Sequence, residues 1–77
     1  MRTFGQYVRY RRGLLQLSQT QLAYKTNISR NYVSLIEREL KYNVSVRVLV
    51  NLAYALSVSP SCLLEWWLDS KFLEEVT

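Results

Sequence analysis

The chain contains no histidine, one cysteine (Cys62), one proline (Pro60) and two glycines (Gly5 and Gly13) in its 77 residues. Without histidine it lacks the commonest general base and the commonest zinc ligand. No serine or cysteine stands in a pattern with a base that would activate it, so enzymatic chemistry is disfavoured and no metal or cofactor is expected. A lone thiol cannot close an internal disulfide, and Cys62 reads as a small packed residue rather than a reactive one. Together with the lack of a signal-peptide pattern, it points to a reducing, cytoplasmic setting. No apolar run approaches the roughly 18 residues needed to cross a bilayer, so a membrane is not an expected partner.

What the sequence does contain is globular in kind. Apolar residues make up 49% and charged residues 21%, which separates it from disordered chains. The length suits one small domain over residues 1–77. A chain of this size buries only about 60% of its unfolded surface, so its core is thin and oligomerisation would help it. Charge is uneven: residues 1–41 hold eight basic and two acidic side chains, whereas residues 42–77 hold two basic and four acidic ones. A net +6 on one half and −2 on the other suits a polyanion on one face, although a solvated basic surface gives the same count.

With so few breakers, most of the chain carries a helical period. Thr3 caps a first helix to about Arg12, with Phe4, Val8 and Tyr7 inward and Gly13 ending or kinking it. Ser18 with Gln21 forms a capping box for a second helix that buries Leu22 and Ala23. A break follows at Thr26-Asn27, where Asn tolerates the left-handed conformation. Ser29 caps a third helix to about Arg38, and the polar stretch "RELKYN" leads to a fourth capped by Ser45. There Leu49, Leu52, Ala53 and Leu56 fall at i, i+3, i+4 and i+7. Ser59-Pro60 opens a fifth helix, about 60–75, that carries Leu63, Leu64, Trp66, Trp67 and Leu68 and runs towards Phe72 and Leu73. No segment alternates long enough for a strand, so the expected class is all-α, five short helices.

Helices two and three, about residues 18–38, have the spacing of a helix-turn-helix. The stretches "LSQTQLA", "ISRNYVSLIER", "NVS" and "LVNLAYALSVSPSCLLE" together resemble the repressor/Cro family of helix-turn-helix DNA-binding domains over roughly residues 3–65. Within that family, the small size and "LAYKTNISRNYVSLIER" look most like the controller proteins of restriction–modification systems. The resemblance implies a lambda-repressor-like fold and a homodimer that activates or represses according to occupancy of a promoter operator. Three departures stand out: Asn27 at the turn where the family has Gly, Glu39 where it often has Gly after Glu-Arg, and a longer following loop with Val44 in place of Pro. They put the loop's phosphate contacts in question more than the fold.

The residue chemistry supports the same site. Val33 and Ile36 form the inner face of the third helix. Arg30 can bond guanine O6 and N7, and Asn31 can bond adenine N6 and N7, each bidentately. Tyr32 and Ser34 lie beside them as further base-reading candidates, with Tyr32 equally suited to packing inside the protein. Gln19 and Ser29, at helix starts, and Arg38, Lys41, Tyr42 and Asn43, beyond the third helix, are phosphate candidates. Capping or simple exposure is the competing role for Gln19 and Ser34, and Lys41 and Tyr42 are evenly balanced. Arg11 and Lys25 are expected to be solvated.

The resemblance pairs Arg12 with Glu37 in a structural salt bridge between helices one and three. Glu37 would otherwise hold an uncompensated charge near DNA. On the fifth helix, consecutive Trp66, Trp67 and Leu68 point about 100° apart and cannot share one core face. Such surplus apolar surface marks a partner site, so a two-fold dimer through Leu56, Leu63, Trp66, Trp67 and Phe72 is expected on a pseudo-palindromic site. The competing functions are a phage-type repressor and an antitoxin-like protein-interaction module that uses the Trp surface. RNA is disfavoured because its major groove is closed to side chains. No small-molecule ligand is evident.

Overall fold

The structure, a computed structural model, describes residues 3–41 and 43–76, and side chains as far as Asp69. Its elements are α1 (Phe4–Leu14), α2 (Gln19–Thr26), α3 (Arg30–Glu37), α4 (Val46–Ala55) and α5 (Pro60–Val76), with no strand among the described residues. The expected all-α architecture of five helices is what forms. Each start follows from a small oxygen-bearing side chain placed before an apolar stripe. Thr3, Ser18, Ser29 and Ser45 accept from the backbone N–H groups of Gln6, Gln21, Tyr32 and Val48, and the Ser59 hydroxyl accepts from Cys62 N–H at 3.1 Å. These bonds satisfy N–H groups that the helices leave unpaired.

The ends are less obvious. Gln16, Asn27, Glu39 and Ser57 all take φ near +60°, each just past a helix. In each case the next residue's N–H reaches a carbonyl five positions back: Leu17 to Arg12, Ile28 to Ala23, Leu40 to Leu35 and Val58 to Ala53. This is the Schellman closure, built here four times without glycine. Leu17, Ile28 and Val58 then pack against the core, which repays part of the left-handed strain. Gly13 does not end α1, contrary to expectation. The helix runs through Leu14 and turns at Gln16.

The core is the convergence of all five stripes. Phe4 and Val8 of α1 meet Leu22 and Ala23 of α2, Val33 and Ile36 of α3, and Leu49, Leu52 and Ala53 of α4. Thr26 is a buried polar residue at the edge of this core, and its hydroxyl donates to the Leu22 carbonyl at 2.7 Å. α1 packs on α3 and α5, and α4 packs on α2 and α5. The helix pair α2–α3 is thereby backed on both sides, which leaves the outer face of α3 free.

Candidate nucleic-acid interface

α3 is held by one face and presents the other. Val33 is 0% and Ile36 2% exposed, while Arg30 and Asn31, at its first turn, are exposed. The turn before it is set by Asn27 at φ 57°, ψ 41°, a conformation that asparagine adopts at low cost. No hydrogen bond or ion pair engages the Arg30 or Asn31 side chain among the described residues, so both donor sets remain available. Ser29 accepts from Tyr32 N–H at 3.0 Å, and its hydroxyl proton is still free to donate outward.

Behind α3 lies a polar hub. Arg12 donates from Nε to Glu37 Oε2 at 2.6 Å and from Nη2 to Oε1 at 3.0 Å. Its third donor reaches the Leu17 carbonyl at 2.8 Å. The hydrogen bond to Glu37 raises the Arg12 pKa above its ordinary value, against the opposing effect of burial. Gln19 Nε2 also donates to Glu37 Oε1, at 3.2 Å. The Gln19 amide, a phosphate candidate from sequence, is therefore turned inward, and what it keeps facing out is its place at the first turn of α2.

Tyr32 and Ser34 also make bonds inside the protein. Tyr32 is half-buried against the core, and burial raises its pKa while a hydrogen bond from the Ser45 backbone opposes the rise. The Lys41 ammonium sits 4.9 Å from the centre of its ring, within the range of a cation–π contact. The Ser34 hydroxyl accepts from Arg38 Nε at 3.2 Å, which draws the Arg38 side chain back along α3. Asn43 is exposed. Tyr42 lies outside the described residues.

The helix-turn-helix family model matches residues 8–61, more than half of the chain. The chain belongs to the helix-turn-helix family. This is a family of DNA-binding regulators of repressor and controller type, not of enzymes. The chain is 41% identical over 61 residues, 79% of its length, to the immunity repressor protein of Bacillus phage phi105, and spans 42% of that protein. Among solved structures it is similar to the restriction–modification controller protein C.AhdI of Aeromonas hydrophila, with 40% identity and a TM-score of 0.72 over 78% of this chain and 89% of that one. SinR, described as the master regulator for biofilm formation and solved in complex with DNA, gives 34% identity and a TM-score of 0.75 over 80% of this chain and 98% of its own.

Two residues of this helix-turn-helix domain do what the sequence did not announce. Arg11, expected in solvent, donates from Nε and Nη2 to the Leu56 carbonyl at 3.2 and 2.9 Å, capping the end of α4. Glu39 accepts from the Thr3 hydroxyl and, at 2.9 Å, from Gly5 N–H. The signal for Glu39 was its departure from the family's glycine, and Arg11 had no local signal. Lys25 is exposed, as expected.

The proposed dimer set needs correction. Leu56 and Leu63 are 0% exposed and belong to the core of the chain itself, so neither has surface to give a partner. Trp66 and Trp67 are half-buried against that core, and Trp66 stacks on Tyr7 with centroids 4.7 Å apart. Among the described side chains of α5, the exposed large apolar ones are instead Leu64 and Leu68. The Phe72 side chain lies outside the described residues. Cys62 Sγ stands 3.7 Å from the Tyr7 hydroxyl, part-buried, as a packed thiol would. Among the described residues, no helix is long and apolar enough to cross a membrane.

Proposed function

We propose that this chain is a sequence-specific transcriptional regulator that acts as a homodimer on a pseudo-palindromic operator. The observation that carries it is the pairing on α3 of a buried face, Val33 and Ile36, with an exposed and unengaged Arg30-Asn31 start. Those two side chains have the donor patterns that distinguish guanine and adenine in the major groove. Ser29, Arg38, Lys41, Tyr42 and Asn43 supply phosphate contacts around them, with the first turn of α2 at Gln19. Tyr32 acts as a platform for Lys41, and Ser34 as a support for Arg38, before either touches DNA. The dimer forms through α5, on the Leu64–Leu68 side beside Trp67, with Trp66 turned inward on Tyr7.

Control of restriction–modification genes is the first target class to test, since C.AhdI is 40% identical and 89% of its chain is covered. A phage-type repressor is the second reading, favoured by the 41% identity to the phi105 immunity repressor. A protein-interaction module built on α5 is the reading outside DNA binding, and a monomer that selects no duplex would favour it.

Selection of bound sites from random duplex DNA, repeated with Arg30→Ala, tests the proposal. The expected result is a site with two inverted halves about one turn apart. The variant should lose about 1–3 kcal/mol and relax its preference at one base pair of each half. Affinity should also fall steeply with salt. A chain that enriches no sequence, or binds without regard to ionic strength, overturns the reading.

A further inference from the structure

We infer that Glu39 is a positioning residue, which ties the end of the recognition helix α3 to the start of α1 and so fixes the angle at which Arg30 and Asn31 are presented. The inference deepens the DNA-binding reading and rests on it for its consequence, though not for its geometry. Glu39 takes a left-handed conformation, φ 62°, that a residue with a Cβ adopts at a cost. That conformation aims its carboxylate at the first turn of α1. There it accepts from the Thr3 hydroxyl and from Gly5 N–H at 2.9 Å. Thr3 in turn caps Gln6 N–H at 3.2 Å, so two N–H groups of the first turn are satisfied through one linked pair. A carboxylate at this end of α1 is favoured by the helix dipole as well.

Gly5 shows how closely the two helices meet. A Cβ there would collide with the Ile36 carbonyl oxygen and with the Glu39 carboxylate. A second polar tie joins α1 to α3 at Arg12–Glu37. Arg12 and Gly5 lie seven residues apart on α1, about 10 Å at 1.5 Å per residue. Val33 and Ile36 anchor α3 by its buried face, and two separated polar ties constrain its direction more tightly than one. Arg30 stands nine residues before Glu39, a lever of roughly 13 Å, so a turn of about 5° at the tie moves it by about 1 Å. Base-edge hydrogen bonds tolerate little of that.

The sign of the effect separates this role from simple electrostatics. Glu39 is a negative charge between Arg38 and Lys41, so charge alone says that removing it strengthens DNA binding. Positioning says the reverse for variants that lose the acceptor. The experiment compares Glu39→Gln, which keeps a carbonyl acceptor, with Glu39→Ala and Glu39→Gly, following amide spectra and affinity for the selected duplex.

In the Ala and Gly variants the Gly5 amide, one of two glycine peaks in the first and of three in the second, should shift, and those of Arg30 and Asn31 with it. Affinity should fall by roughly tenfold, equivalent to about 1.4 kcal/mol. Glu39→Gln should keep wild-type shifts and bind at least as well as wild type. Glu39→Gly also relieves the backbone strain, so its loss of affinity should come without a matching loss of thermal stability. An unmoved Gly5 amide, unmoved Arg30 and Asn31 amides, or tighter binding by the Ala and Gly variants overturns the inference. The amide shifts report the pose without DNA. A wild-type chain that selects no duplex would therefore sink the DNA-binding reading and leave this one to be decided by those peaks.

Discussion

Glu37 accepts two hydrogen bonds from Arg12, at 2.6 and 3.0 Å, with a side chain only 4% exposed. Breaking such a pair from one side strands the other charge, whereas replacing both partners does not. Arg12→Ala should therefore destabilise the fold by about 3–5 kcal/mol, since it leaves Glu37 with only the Gln19 amide. Arg12→Met with Glu37→Leu together should cost clearly less than the sum of the single changes. Urea unfolding of the wild type, Arg12→Met, Glu37→Leu and the double variant measures this, and additive losses would show that the pair carries no coupling.

The two glycines should respond to alanine in opposite directions. At Gly5 the added carbon meets backbone oxygen on α3, and rigid overpacking of this kind costs about 1–3 kcal/mol. At Gly13 nothing lies within 4 Å, and the residue is inside a helix. Alanine there should stabilise by about 0.5–1 kcal/mol. Thermal melts of the two variants decide it; a Gly5→Ala protein as stable as wild type would mean that α1 docks less closely than described.

The glycine contrast also shows which features the sequence could reveal. Ser18, Ser29, Ser45 and Ser59 were readable as caps because an oxygen before an apolar stripe has one local job. The turns at Gln16, Glu39 and Ser57 were not readable. A left-handed residue without glycine is held there by the backbone bond and the packing that follow it, not by its own preference. Gly13 misled for the converse reason: its freedom is unused. At the site, Arg30, Asn31, Val33 and Ile36 could be sorted by helical period, and Arg12–Glu37 by resemblance. Arg11 could not, since its carbonyl partner at Leu56 is 45 residues away. The surplus of apolar residues at Trp66, Trp67 and Leu68 suggests a partner surface in the sequence. It does not say that Leu63 and Leu56, itself on the core stripe of α4, are already covered within the chain.

Alkaline pH should weaken the fold through two tyrosines. Burial, and then a hydrogen bond with Cys62, raises the pKa of Tyr7, and burial raises that of Tyr32. A raised pKa in the folded state means that this contribution is intact below the unfolded value near 10 and is lost as pH rises through the folded values. Stability should thus be insensitive to these groups at neutral pH and decline above about pH 10. The Tyr7→Phe and Tyr32→Phe variants should each flatten that decline. A decline of unchanged slope in the double variant would assign it to other groups.

The interface proposed for α5 makes the last test specific. Leu64 and Leu68 stand four residues apart on one helical face, 39% and 49% exposed, while Leu63 beside them is buried. Because Leu68 is half in solvent, Leu68→Glu should leave the protomer's stability within about 0.5 kcal/mol. In a two-fold interface the same position occurs on both partners, so the change is felt twice. It also removes apolar contact worth about 1.5–3 kcal/mol per fully buried leucine and sets like charges near one another. Sedimentation over a concentration series should show wild-type dimers and variant monomers at concentrations where the wild type is fully paired. On the operator, the variant should bind two halves independently instead of together. If Leu68→Glu sediments as wild type does, α5 is not the dimer surface. The two recognition helices would then have to be spaced by another face of the molecule.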